Sequence, residues 1–394
     1  MKKLLLASTA VAVMGTAAWA EDIKLGISIG FTGPLESLAP AMAAGAELAF
    51  KEASDSGKLL DGVKITAVGA DSTCIDAAAA TAAAERIVTS DKVRGIVGGM
   101  CSGETSATLK NVAMPNGIVM ISPSATSPAL STVEDNGLFF RTAPSDARQG
   151  EVMTEILGDR GIKTVAVTYT NNDYGKGLAE SFQKAFEAAG GKVTINAAHE
   201  DGKADYSAEV ASLASAGGDV LVVVGYIDQG GGGIIRAALD SGAFETFMFP
   251  DGMVSQTLED KFGKEINGSF GQNPAAAGEG RDKYVALGKE HGFDATSAFS
   301  AESYDAAALI ILAMQAAKST DPAAYKTKVM EVANAPGEKI YPGELAKALE
   351  LIAAGQDVDY VGASAVELIG PGESAGSYRE VEFKDGKLAV VGFR

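Results

Sequence analysis

The sequence predicts an α/β protein built as two lobes, each a parallel sheet covered by helices. Three observations carry this. Short apolar runs alternate with segments of helical periodicity, the pattern of a parallel sheet wrapped on both faces. The alternation occurs twice, over about 21–142 and 143–272, and a mostly helical region follows. The apolar runs also stop at small hydroxyl residues, Asn or Asp, as strands do where their carboxyl ends face a ligand crevice.

Residues 1–20 stand apart. Lys2 and Lys3 precede an apolar run from Leu4 to about Val13, and Ala18-Trp19-Ala20 has the small-x-small form of a cleavage site. The run is too short to span a bilayer, so a cleaved export signal is expected. Losing Lys2 and Lys3 takes the formal net charge from -18 to -20. Such an acidic exported chain is a poor partner for nucleic acid or anionic membrane. Its acid-rich surface reads as a solvated face.

The mature chain opens on the alternating strand Ile23–Ile29 and the turn Thr32-Gly33-Pro34. A helix is expected from about Leu38 to Ala53, a strand over 63–70 and a helix over 77–88. The next stretch, Gly95 to Thr126, reads strand, turn, helix, strand, turn. Its first run ends at Ser102, which opens a helix whose free N–H groups favour an anion. Its second ends at Ser122, Ser124 and Thr126. After Leu138–Thr142 a second series begins, with strands at 164–169, 193–197, 219–224 and 246–249. Helices are expected over about 146–158, 177–189, 207–216 and 234–239. Further helices follow over about 280–291, 298–317, 322–333 and 343–353. Two strands joined by Asp385-Gly386, a hairpin signal, end the chain.

Candidate residues cluster at strand ends. Tyr174, in Asn172–Gly177, occupies the place in the second unit that Ser102 has in the first; it either lies over a ligand or sits on a helix-capping loop. Asp251, after strand 246–249, is either the counter-ion of a ligand ammonium or a turn residue between Pro250 and Gly252. Cys74 and Cys101 each follow a strand. In an oxidising compartment one disulfide is the simplest reading, and a reactive Cys101 at a helix start is the alternative. Gly225 to Gly233 only partly mimics a dinucleotide fingerprint, because no Gly-x-Gly-x-x-Gly starts at Gly225. Gly26-Ile-Ser28-Ile-Gly30 lies inside a strand and not on a nucleophile elbow. His199 and His291 lack metal-ligand spacing, so neither a metal nor a cofactor is expected.

Taken together, Thr32–Pro34, Gly98–Ser102, Met120–Thr126, Phe140–Thr142, Asp173–Gly177, Gly225-Tyr226 and Phe249–Gly252 resemble a known family along nearly the whole mature chain. It is the periplasmic solute-binding proteins of branched-chain amino-acid ABC transporters, the leucine/isoleucine/valine type. The resemblance implies a type I periplasmic binding fold, two doubly wound lobes joined by a three-crossover hinge. The lobes would be 21–142 with 273–365, and 143–272 with 366–394. It implies a monomer that is not an enzyme and that delivers an amino acid to inner-membrane permease subunits. Ser102 and Thr126 would bind the α-carboxylate, with Ala125 beside them. The Ser124 carbonyl would accept from the ammonium, and Asp251 would pair with it where the family commonly has Glu. Tyr174 and Tyr226 would come from the second lobe, and Cys74–Cys101 would match the family's disulfide. Leu38 stands where an aromatic wall residue is expected, and the runs Gly230–Gly233 and 335–372 depart from the pattern. An amide, urea or aromatic acid is the alternative ligand. A hydrolase using Cys101 or Ser28 is the alternative from another class.

Overall fold

The computed structural model describes residues 22–394. The expected export signal lies outside the described residues. The first sheet contains β1 (Ile23–Ile29), β2 (Ile65–Asp71), β3 (Ile96–Gly98), β4 (Met120–Ser122) and β5 (Phe139–Pro144), all parallel, in the order 2-1-3-4-5. The second repeats that order with β6 (Thr164–Thr170), β7 (Lys192–His199), β8 (Val220–Val224), β9 (Phe247–Phe249) and β10 (Phe270–Pro274), again parallel. β3, β4, β8 and β9 are buried throughout, which is why they read as continuous apolar runs. These are the two doubly wound lobes expected.

The last quarter of the chain divides between the lobes. The helix Ser300–Ala317 returns to the first lobe and packs on the helix Ala39–Ser56. Contact is so close at Gly45 that a Cβ there would meet the Ser300 carbonyl at 2.5 Å. β11 (Glu338–Ile340) and β12 (Val358–Tyr360) pair in a small parallel sheet flanking the helix Leu345–Ala353. The long 335–372 stretch is therefore an ordered subunit of the first lobe. β13 (Leu368–Ile369) and β14 (Glu373–Ser374) then extend the first sheet beyond β5. β15 (Tyr378–Lys384) and β16 (Lys387–Phe393) form the expected hairpin on the edge of the second sheet.

The chain thus crosses between sheets three times, after Pro144, after Pro274 and between Ser374 and Tyr378. The expected boundaries at 142, 272 and 365 fall early. The largest correction is at 366–374, expected in the second lobe and placed in the first. β13 and β14 have two residues each, too short for any periodicity to announce them, and only β14 pairs with β5.

Candidate functional site

In a 2-1-3-4-5 sheet, the strand order reverses between the first strand and the third, and a crevice opens outside their carboxyl ends. The lobes place these two crevices face to face. Leu35 follows β1, Met100, Cys101 and Ser102 follow β3, and Ser124 follows β4. Across from them, Tyr174 follows β6, Tyr226 follows β8, and Asp251 with Gly252 follows β9. Phe299, just before the helix Ser300–Ala317, completes the first lobe's wall. The space enclosed is about 10 Å³, room for roughly one water. The lobes must part to admit anything larger.

The first-lobe end is built from hydroxyls and amides. Ser102 opens the helix Ser102–Thr108, as expected, and its Oγ accepts from the Ser127 N–H at 3.0 Å, leaving its own O–H to donate. Glu104 Oε1 accepts from the N–H groups of Met100 and Cys101 at 2.6 and 3.1 Å, so those two are withdrawn from the cleft. Burial pushes the Glu104 carboxyl up to about 8. Ser122 Oγ accepts from the Ala125 N–H at 2.9 Å, and Ser124 Oγ donates to the Met100 carbonyl at 2.8 Å. Arg141, fully buried, donates to the Ala125 and Ser127 carbonyls at 3.0 Å each and pairs with Glu373 at 2.5 Å. It fixes the loop that carries Ser124.

The second-lobe end is acidic. Asp251 is buried, and its Oδ1 accepts from the Tyr174 hydroxyl at 2.6 Å and its neighbour's N–H, Gly252, at 2.9 Å. Tyr174 stacks on Tyr226 with ring centroids 5.2 Å apart, and Asn172 donates to the Tyr226 hydroxyl at 3.4 Å. Asn172 also caps the helix Asp173–Ala188 through the Gly175 N–H. The Asn172–Gly177 segment, expected as a loop before a helix at 177, is thus the cap and first turn of the helix, with its tyrosine buried over the cleft.

A second acid stands beside this one. Asp146 begins the helix Asp146–Asp159 just past the first crossover; it is fully buried, and neither carboxyl oxygen has a hydrogen-bond partner. Burial, then the Asp251 charge, raises its pKa well above the carboxylate range, partly offset by Arg141. Burial likewise raises Asp251, against the bonds from Tyr174, Gln149 and the Gly252 amide. Burial thus favours the neutral form of both carboxyls while the cleft is empty.

Of the sequence-predicted residues, Ser102, Ser124, Tyr174, Tyr226 and Asp251 line the cavity. Ala125 and Thr126 are buried behind Ser124, and the Thr126 hydroxyl has no hydrogen-bond partner. The wall position expected at Leu38 is filled by Leu35; Leu38 faces a neighbouring groove. Sequence reasoning missed Leu35, Phe299 and Asp146. Asp146 carried one signal, its place at a helix start, which reads equally as an ordinary first-turn acid. Cys101 is bonded to Cys74 with their Cα atoms 5.1 Å apart, so it is no free nucleophile. Ser28 is sealed inside β1.

A family model described as periplasmic binding protein matches residues 22–340. The chain belongs to this family. A Leu/Ile/Val-binding protein homolog 1 of Brucella melitensis biotype 1 is 33% identical over 348 residues, covering 86% of this chain and 89% of its own length. The leucine-, isoleucine-, valine-, threonine- and alanine-binding protein of Pseudomonas aeruginosa is 29% identical over 319 residues, covering 79% and 84%. Among solved structures, a leucine-binding protein LivK of Thermotoga maritima superposes with a TM-score of 0.78 at 21% identity, covering 94% of this chain and 98% of that one. This periplasmic binding protein thus shares its two-lobed fold with proteins that hold small solutes.

Proposed function

We propose that this protein captures an α-amino acid with an apolar side chain between its lobes, in the periplasm, and hands it to the permease of an ABC transporter. One observation carries the reading: a donor end at Ser102 and an acidic end at Asp251 face each other across one apolar cleft. The donor end suits an α-carboxylate, through the Ser102 O–H and the unpaired N–H groups of the helix it opens, with Thr126 behind. Asp251, Asp146 and the Ser124 carbonyl suit an α-ammonium. Leu35, Met100, Phe299 and the two tyrosines suit an aliphatic side chain. The names of the Brucella and Pseudomonas relatives support the same ligand class. On this reading the protein acts by binding and release. Closure follows from a ligand touching both lobes, since only a ligand with differential contacts shifts that equilibrium.

The test is a thermal-shift screen of residues 21–394, unfolded and refolded to strip carried-over ligand. At about 100 times its dissociation constant, a true ligand adds roughly 2.7 kcal/mol of stability. Leucine, isoleucine or valine is expected to raise Tm. A shift with benzoate, urea or an amide and none with any α-amino acid overturns the assignment of Asp251 and its partners.

A further inference from the structure

A second space lies between the lobes. A groove of about 610 Å³ adjoins the cleft without sharing a lining residue with it, although the two linings are near neighbours at Leu35 and Ser37, at Gly252 and Val254, and at Phe299 and Ala298. Its volume falls within the roughly 300–1,000 Å³ of small-molecule sites. The first lobe supplies one side, including Arg281 on the helix Glu279–His291. The second supplies the other, including Arg379 on β15.

The charges in this groove are unevenly satisfied. Of its two lining acids, Glu259 is held by Lys387 Nζ at 2.8 Å and the Leu388 N–H at 2.7 Å, and Asp294 accepts from the Thr296 N–H and hydroxyl of its own loop. Among the described residues, Arg281 makes no ion pair or side-chain hydrogen bond, and Arg379 makes one, from Nε to Asn273 Oδ1 at 3.0 Å. Each guanidinium carries five N–H donors, so most are unspent. Glu302, a buried acid within electrostatic reach of both arginines, has its carboxyl pushed up to about 8 by burial. Burial, then the Arg281 charge, draws Arg379 down to about 10. The groove thus presents unspent guanidinium donors on a chain of net charge -18. Val254, Phe293, Leu388 and Val390 give it apolar walls.

We propose that this groove is a second ligand site, taking a small organic carboxylate with an apolar body. The carboxylate sits between Arg281 and Arg379, where a fork of donors matches its two oxygens. The body lies against Val254, Leu388 and Val390. The arginines stand on opposite lobes, so one bound anion ties the lobes together. Linkage then requires it to tighten binding in the cleft, and the cleft ligand to tighten binding of the anion.

Octanoate is the probe. It is titrated by calorimetry into refolded residues 21–394, alone and with saturating leucine. Octanoate is expected to bind in both cases, more tightly with leucine present. Arg281→Gln is expected to weaken octanoate about tenfold, with Arg281→Lys weakened less and leucine binding alone unchanged. No octanoate binding, displacement of octanoate by leucine, or undiminished binding to both Arg281→Gln and Arg379→Gln overturns the proposal. If leucine itself fails to bind, the reading of the cleft falls, while the arginine variants still decide this site.

Discussion

At the scale of residues, Asp251 and Asp146 decide how this protein treats a cation. Each is buried and each raises the other's cost of ionising. A ligand ammonium would reverse that balance by favouring the charged form. Binding should therefore release protons at pH values above the ordinary carboxylate range. Leucine titrations in buffers of different ionisation enthalpy should give different heats, and a buffer-independent heat at every pH tested would falsify this proton release. Asp251→Asn should weaken leucine by about 3 kcal/mol, roughly 100-fold in Kd. The same change removes a buried ionisable group, so the ligand-free variant should melt no lower than the parent at pH 8. Lower stability together with unchanged affinity would make Asp251 a structural residue only. Asp251 and Tyr174 were legible in the sequence because each follows a strand, and strand ends in this topology face the crevice. Asp146 was not, because only the fold of the first crossover brings it against Asp251.

At the scale of elements, the run Gly230–Gly233 shows packing overriding propensity. Read as a loop before a helix at 234, it forms the first turn of the helix Gly230–Ser241. Four glycines there are poor helix formers. Each, however, lies under a close neighbour: a Cβ would meet Asp201 at 2.5 Å from Gly230, Met253 at 2.3 Å from Gly231, the Ile227 carbonyl at 2.5 Å from Gly232 and Tyr206 at 2.3 Å from Gly233. The Gly230 N–H also bonds Asp201 Oδ1 at 3.0 Å. Gly232→Ala should lower stability by about 1–3 kcal/mol, since a backbone carbonyl cannot step aside. Gly158→Ala, in a helix with open space around it, should raise stability by up to about 1 kcal/mol. Denaturant melts of the two variants check this, and equal effects would refute the packing argument. The disulfide gives a parallel case. Cys74 and Cys101 are 27 residues apart, and replacing both with Ser should cost about 3–4 kcal/mol in the chain-entropy account. A loss under 1 kcal/mol in the same melts would show that the closed loop adds little.

At the scale of the whole molecule, buried acids set the pH response. Glu104 and Glu302 have folded pKa values of about 8, above the ordinary 4.5. Below about pH 4.5 both states hold these protons, and no cost arises. Between there and about pH 8 the folded state keeps protons that the unfolded chain has lost, so stability falls as pH rises. His199 acts oppositely: burial draws it down to about 4, and stability falls as pH drops below its unfolded value of roughly 6.5. The ligand-free protein should therefore lose Tm from pH 6.5 to 8 and level off above about pH 9. A Tm that climbs over pH 6.5–8 would contradict the burial of Glu104 and Glu302.

The alternation of strands and helices, the doubling of the α/β unit and the hydroxyl or acidic residues at strand ends could all be read from the chain. They depend on local periodicity, and a parallel sheet places each strand end by rule. The disulfide was readable to the extent that both cysteines follow strands, β2 and β3, which flank β1. Tertiary structure alone decided what depends on distant partners. The two-residue strands β13 and β14 pair with each other, and β14 joins the sheet through β5. Leu35 faces the cleft, while Leu38, at the start of the helix Ala39–Ser56, lines the neighbouring groove. Arg281 and Arg379, 98 positions apart in the chain, share a groove only because the second and third crossovers run side by side.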